Sequence, residues 1–248
     1  MAKVIMVTGG SRGIGAACCR LAATHGYDVA VNYAGNAAAA AKVAADVRAA
    51  GQRAIELKGD IADDATIGSL FDQTEAELGP VTAFVSNAGV INVAAPLADI
   101  PVEEIRRIID IDLTAHLICN REAVRRMALS KGGKGGAIVN ISSKASTLFG
   151  AGGFIPYGAA KGGIDVLTQG LGREVAADGI RINALRPGLI DTEIHDDSGE
   201  LGRVAKLGPS VPIGRAGTAM EVAEAVLWLL SDQAAYVTGT VFDVSGGR

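Results

Sequence analysis

Short apolar runs rich in valine and isoleucine alternate with longer segments of helical periodicity along most of this chain. The runs fall at residues 4–8, 28–32, 53–57, 82–86, 137–141, 180–184 and 240–244. They lack the every-other-residue polarity of a strand with one wet face, as expected where both faces are covered. Helical patterns at 14–25, 37–50, 64–78, 102–127, 157–177 and 219–231 separate them. Strand, helix and strand in succession predict parallel pairing with right-handed crossovers and helices on both faces. The expected fold class is therefore α/β, a doubly wound sheet of seven mainly parallel strands. No stretch rich in proline, serine or charge divides the chain, so residues 1–248 are expected to form a single domain. The pattern lapses at about 193–212, which holds Gly199, Gly202, Gly208 and Pro209. Such a stretch reads either as a substrate-side lid or as a mobile surface loop.

Hydrophobic residues make up 49% of the chain and charged residues 20%, a balance that supports a packed core rather than disorder. Lysine and arginine number 23 against 27 acidic residues, and the formal net charge of -4 offers nucleic acid no basic face. Three cysteines, two of them adjacent (Cys18 and Cys19), make no disulfide framework. With no secretory layout after Met1, a reducing, cytoplasmic setting is expected. No apolar stretch approaches the ~20 residues that span a bilayer, so no membrane association is expected.

The first strand runs into Thr8-Gly9-Gly10-Ser11-Arg12-Gly13-Ile14-Gly15, and a helix opens at once. Glycines there let the backbone turn sharply and approach a pyrophosphate, which the N–H groups and dipole of the helix N-terminus then hold. This is the layout of a Rossmann-type dinucleotide site. An acid about 20 residues further on would hold the ribose hydroxyl of NAD. Here the second strand ends Val31-Asn32-Tyr33-Ala34, without a carboxylate. That absence, with Arg12 placed to pair with a phosphate, favours NADP(H) over NAD(H).

With these residues assembled, the chain resembles the short-chain dehydrogenase/reductase family along nearly its whole length. Thr8, Gly9, Gly13 and Gly15 match the family's glycine loop, and Asn87-Ala88-Gly89 its turn after the fourth strand. Ser143 matches its serine, Tyr157 and Lys161 its Tyr-x-x-x-Lys pair, and Pro187-Gly188 with Thr192 its turn near the nicotinamide. Asp60 and Ile61 fall where the family contacts adenine. The resemblance implies an NAD(P)-dependent oxidoreductase that moves a hydride between nicotinamide and a carbonyl/alcohol pair. It implies a cofactor site formed by Gly9, Ser11, Arg12, Gly13, Ile14, Gly15, Asn32, Tyr33, Asp60, Ile61, Asn87, Ala88, Gly89, Tyr157, Lys161, Pro187, Gly188, Ile190 and Thr192. No metal is called for. Catalysis would fall to Tyr157 as general acid/base, Ser143 aligning the substrate oxygen, and Lys161 lowering the tyrosine pKa and holding the ribose.

Physical chemistry supports the Tyr157–Lys161 pairing independently, since residues four apart share one helix face. Pro156 suits a helix start, which places Tyr157 in a first turn where the dipole favours an anion. Dropping a phenol from ~10 to ~7 requires ~4 kcal/mol. An ammonium ~4 Å away at an effective dielectric of ~20 supplies about that. Tyr157 is therefore expected to titrate near neutrality. Ser142 rivals Ser143, but neighbours on a strand face opposite ways, and Ser143 is favoured. One position departs from the family: Asp112 stands where an asparagine usually serves a proton relay to the lysine, and an ionised aspartate cannot donate a hydrogen bond.

Glu193, His195, Asp196 and Asp197 have no metal-specific spacing and read as solvated loop charges. Cys18 and Cys19 read as small packing residues. The substrate side, with Leu148, Phe149, Phe154 and Ile155, reads as mildly apolar. Family ketoreductases that take acyl carrier proteins tend to have a basic residue just before the Gly179-Ile180 turn, where this chain has Asp178. A small or medium carbonyl substrate is the leading expectation. The alternatives are a sugar or polyol dehydrogenase working oxidatively, and a non-catalytic NADP-binding protein. The run 236–244 resembles the family's last strand, which often lies in a tetramer interface, so a homo-oligomer, a tetramer, is expected.

Overall fold

The alternation read from the sequence is realised strand for strand. The computed structural model describes residues 3–199 and 202–248, apart from the side chains of 195–197. Strand β1 (Lys3–Val7) leads through helix α1 (Gly13–Thr24) to β2 (Tyr27–Tyr33), and α2 (Ala37–Ala49) leads to β3 (Ala54–Lys58). Helix α3 (Asp64–Glu77) then crosses back to β4 (Ala83–Ser86). Next come α4 (Val102–Ile109), α5 (Ala115–Met127), β5 (Gly136–Ile141), α6 (Ile155–Glu174) and β6 (Ile180–Pro187). The chain closes with β7 (Ile190–Asp191), α7 (Arg203–Leu207), β8 (Gly217–Thr218), α8 (Ala219–Leu230) and β9 (Val241–Val244).

Seven strands form one sheet in the order β3-β2-β1-β4-β5-β6-β9, and every pairing is parallel. Both faces are covered. Ile5 and Val7 of β1 pack with α1, α2 and α8, whereas Val4 and Met6 pack with α3 and α5. This explains the unbroken apolar strand runs, since alternate side chains enter two different cores. Local signals set the helix starts: Asn36 caps α2, Asp63 caps α3, and Thr218 with Glu221 forms a capping box on α8.

Three features differ from the sequence expectation. The helix expected over 102–127 is interrupted by a π turn at Asp110–Thr114 between α4 and α5. Strands β7 and β8 pair with each other in a second, two-stranded sheet. The segment at 193–212 is less irregular than its composition suggests, with 3-10 turns at Glu193–Ser198 and Gly208–Ser210 flanking α7. Positions 200–201 of the expected lid lie outside the described residues.

Candidate active site

The chain leaves β1 for β2 and β3 on one side, then returns to pair β4 on the other. Loops following β1 and β4 therefore diverge and leave a crevice at the carboxyl ends of the strands, where doubly wound folds bind ligands. A cleft of about 520 Å3 occupies that position. One end is formed by Gly9, Ser11, Arg12, Gly13 and Ile14. Gly9 and Gly13 adopt φ of 62° and 52°, a region that side chains disfavour. A Cβ on Gly15 would lie 2.3 Å from the Gly9 carbonyl oxygen and 2.6 Å from Asn87 Nδ2. Glycine is needed there so that α1 can start tight against the turn.

The β4 turn is tied to this loop. Thr8 Oγ1 accepts from the N–H groups of Asn87 (2.9 Å) and Ala88 (3.1 Å), and Asn87 Nδ2 donates to the Thr8 carbonyl at 2.9 Å. Behind it, His116 is fully buried. Its Nε2 lies 2.8 Å from the Ala88 carbonyl and its Nδ1 2.8 Å from Ser86 Oγ. A carbonyl can only accept, so Nε2 carries the proton and Nδ1 accepts from the serine. Burial, followed by the nearby Lys161 charge, holds the imidazole down to about 3, so it stays neutral. Both partners lie about 30 residues away on another element, so no spacing in the chain announces them.

At the opposite wall, β5 is followed by Ser142 and Ser143. Ser142 borders the cleft, but its hydroxyl is buried, 2.7 Å from Asp165 Oδ1 and 3.0 Å from the Lys161 carbonyl. Ser143 faces the cleft and its side chain is hydrogen-bonded to Tyr157. Helix α6 carries proline in its first turn, with Tyr157 next to it. Lys161, one turn on, lies with its Nζ 5.6 Å from the centre of the Tyr157 ring. The ammonium donates to the Ile141 carbonyl at 3.2 Å and pairs with Asp112 Oδ1 at 3.1 Å. Asp112, from the π turn, is wholly buried, and the Val90 N–H reaches both of its carboxylate oxygens at 3.3 Å.

This geometry corrects one expectation. Tyr157 was expected to fall toward neutrality under the Lys161 charge; instead its phenol is raised above its ordinary value. Burial is the main cause, and it outweighs the Lys161 charge, which Asp112 partly cancels. Lys161 itself loses basicity to burial but gains more from Asp112 and Tyr157, and it ends above its ordinary value. Burial raises the Asp112 carboxyl, and Lys161 pulls it only part of the way back.

A family model described as enoyl-(acyl carrier protein) reductase matches residues 9–248. This chain belongs to the short-chain dehydrogenase/reductase family. It is 47% identical over 245 residues to the uncharacterized oxidoreductase YgfF of Escherichia coli, covering 99% of each chain. The cis-4-hydroxycyclohexanecarboxylate dehydrogenase of Sinomonas cyclohexanicum is 39% identical, with 99% of this chain and 96% of that one covered. The L-rhamnose 1-dehydrogenase (NAD(P)(+)) of Sphingomonas sp. is 38% identical, with 99% and 95% covered. Among solved structures, a short-chain type dehydrogenase/reductase from Mycobacterium marinum superposes with a TM-score of 0.92 at 30% identity, covering 99% of this chain and 94% of that one. As a member of this family, the protein is an NAD(P)-dependent oxidoreductase acting between alcohols and carbonyls.

For a short-chain dehydrogenase/reductase the remaining sequence-predicted residues fall into place unevenly. Tyr33, Asp60, Ile61, Asn87, Ala88, Gly89, Pro187, Gly188, Ile190 and Thr192 all border the cleft. Asn32 borders it too, but its amide is spent on the scaffold. Its Oδ1 accepts from Gly9 N at 3.3 Å, and its Nδ2 donates to the carbonyls of Leu57 (3.2 Å) and Gly59 (2.9 Å). Leu148 and Phe154 line the substrate side, whereas Phe149 and Ile155 face a separate shallow depression, with Phe149 85% exposed. Ile91, Ile194, Arg203 and Arg248 also border the cleft. Arg203 stacks over the Phe154 ring at 4.8 Å, a placement its sequence context does not announce. His195, Asp196 and Asp197 of the metal reading have side chains outside the described residues. Among the described residues no cluster of three or more metal-ligating side chains occurs, and no helix is long and apolar enough to cross a membrane.

Proposed function

We propose that this protein is an NADP(H)-dependent reductase of small or medium-sized, largely apolar ketones and aldehydes. The convergence of Ser143, Tyr157 and Lys161 on one wall of the cleft carries this reading, with the glycine loop at its other end. The absence of side chains at Gly9, Gly13 and Gly15 fits a dinucleotide diphosphate against α1. When bound, the nicotinamide supplies or accepts the hydride. Tyr157 passes a proton to the substrate oxygen in reduction and takes it back in oxidation. Ser143 hydrogen-bonds the same oxygen and fixes its position. Lys161 would hold the ribose hydroxyls with the donor it does not use on Asp112 and Ile141.

NADP(H) is favoured over NAD(H) because no carboxylate ends β2 and Arg12 borders the cleft at the start of α1. The apolar lining of Ile91, Leu148, Phe154 and Ile194 favours a ketone over a sugar, and Arg203 on its edge suits a substrate carboxylate. Asp178, exposed and held by the Ser130 N–H at 3.0 Å, is unfavourable for docking an acidic carrier protein. The segment 193–212 serves as a substrate-side lid, since Ile194 and Arg203 within it reach the cleft. We read the protein as cytoplasmic and homotetrameric. Exposed apolar residues on the outer helices, Val102, Leu117 and Val166, support self-association.

The test is NADPH and NADH oxidation with aldehydes, alicyclic ketones and their carboxylated forms, with Tyr157→Phe in parallel. Turnover with NADPH should fall about 100-fold or more in the variant. Full turnover by folded Tyr157→Phe would overturn the assignment. NADPH binding without turnover on any substrate would favour the non-catalytic alternative.

A further inference from the structure

Asp112 is bonded to Lys161, the cation beside Tyr157, and so offsets part of the charge that would otherwise favour the phenolate. The pair sits in space that three elements leave open. A Cβ on Gly89 would fall 2.5 Å from Asp112 Oδ1 and 3.4 Å from Lys161 Nζ. On α6, a Cβ at Gly163 would meet Leu113 Cδ1 of the π turn at 2.7 Å. The π turn itself supplies the third opening, and Asp112 enters through it, buried beside a lysine only 3% exposed.

The charges around the pair are few. On Asp112's own helical run, Arg107 acts on it from a distance and pairs with Glu104. From α5 comes His116, which is neutral. From α6 come Tyr157, Lys161 and Asp165, and Asp165 is paired with Arg186 of β6 at 2.9 Å. From the end of β5 come the Ile141 carbonyl and the Ser143 hydroxyl, both uncharged, and Lys144 beyond them is paired with Asp243 at 2.6 Å. At Tyr157, then, the Lys161 charge is offset in part by the anion in contact with it.

We propose that Asp112 sets the proton poise of the site: by neutralising Lys161 it keeps Tyr157 protonated through the neutral range, favouring carbonyl reduction there and displacing alcohol oxidation to alkaline pH. This rests on Tyr157 being the acid/base group. In reduction the C=O π bond breaks, the carbon takes a hydride from the reduced cofactor, and the oxygen takes the Tyr157 proton. The phenolate left behind recovers a proton from solvent. In oxidation the tyrosine must begin deprotonated, which a cancelled lysine does not promote. The equilibrium between alcohol and carbonyl belongs to the reactants. Asp112 changes only the pH at which each direction reaches half its maximal rate.

Asp112→Asn keeps the shape and removes the charge. Phenolate absorbance is titrated without cofactor in the wild type and in Asp112→Asn, each alongside its Tyr157→Phe counterpart, so that the difference isolates Tyr157 from Tyr27, Tyr33 and Tyr236. The Tyr157 midpoint should fall by about one pH unit or more in Asp112→Asn, and the alkaline pH profile of alcohol oxidation should move down with it. Asp112→Glu, which restores the charge, should return the midpoint toward the wild type. An unmoved midpoint overturns the proposal even if turnover falls, because a purely structural Asp112 would lower rate without moving titration. Should Asp112→Asn not fold, Asp112→Ser removes the same charge and is held to the same outcome. Retained turnover in Tyr157→Phe would instead strike the acid/base assignment, whatever the midpoint does.

Discussion

Replacing Lys161 by methionine should extend the loss of stability with rising pH well beyond the range in which the wild type shows it. Methionine keeps much of the length and fills the apolar space, but it leaves the Asp112 carboxylate buried without its cation. At 3.1 Å and an effective dielectric of about 20, the lost attraction is about 5 kcal/mol. Measured losses on removing one partner of a buried pair are about 3–5 kcal/mol. The Val90 N–H, at 3.3 Å from each oxygen, is weak compensation. The folded Asp112 carboxyl already lies above its unfolded value, and without Lys161 it rises further. A group raised in this way contributes its stability fully below the unfolded pKa and loses it as pH climbs through the folded pKa. The variant should therefore approach the wild type in acid and fall behind by about 1.4 kcal/mol per pH unit between the folded Asp112 value of the wild type and the higher one of the variant. Other titrating carboxylates, such as Glu221 and Glu104, are common to both proteins and cancel in the difference. In thermal unfolding followed by circular dichroism between about pH 5 and pH 9, the Tm gap should widen to roughly 10 °C at the alkaline end. Asp112→Asn added to Lys161→Met should close most of that gap. A gap constant with pH, or a double variant no more stable than the single, would refute the buried-ion-pair account.

The two neighbouring serines should separate cleanly. Ser143→Ala should lower turnover with little change in Tm, whereas Ser142→Ala, which removes a buried donor from Asp165 Oδ1, should lower stability by about 1–3 kcal/mol. The three cysteines should resist thiol reagents until the protein unfolds. Burial pushes Cys18 and Cys119 up to about 12 and Cys19 well above its ordinary value, so labelling of any of them in the folded protein would contradict their placement.

Much of the site was legible because its chemistry depends on local spacing. Gly9, Gly13 and Gly15 stand out since no other residue fits the approach they make, and Tyr157 and Lys161 meet because four positions make one helical turn. Strand alternation separates the roles of Ser142 and Ser143, and the family match picks out Ser143, whose side chain meets Tyr157 while the Ser142 hydroxyl meets Asp165. What escaped the sequence is set by contacts between distant segments. Asn32 marks the end of β2 in either reading, but that its amide braces Gly9, Leu57 and Gly59 depends on the register of three strands. Strands β7 and β8 are two residues each, too short for any period to show. Phe149 looked like pocket lining from its position in the chain, but the turn from Leu148 to Gly153 carries it outward.

The two largest departures from the sequence reading occur at the same place. Residues 102–127 carry an unbroken helical pattern, so nothing in their periodicity marks where the helix widens. The widening falls on Asp112, the position whose side chain also departs from the family pattern. Rare π turns and buried charges each reduce stability, and both are found disproportionately where function holds them in place. Here each supports the other. Without the extra residue per turn, Asp112 would not be set against Gly89 and Lys161. Without Lys161, the carboxylate would have little reason to remain there. Lys161 is thus shared between Asp112 on one side and Tyr157 on the other, and a change at either partner is felt at the other through a single ammonium. For this reason the acid/base behaviour of Tyr157 is a property of three residues spread over 50 positions of sequence, and the Tyr-x-x-x-Lys spacing alone could not reveal it.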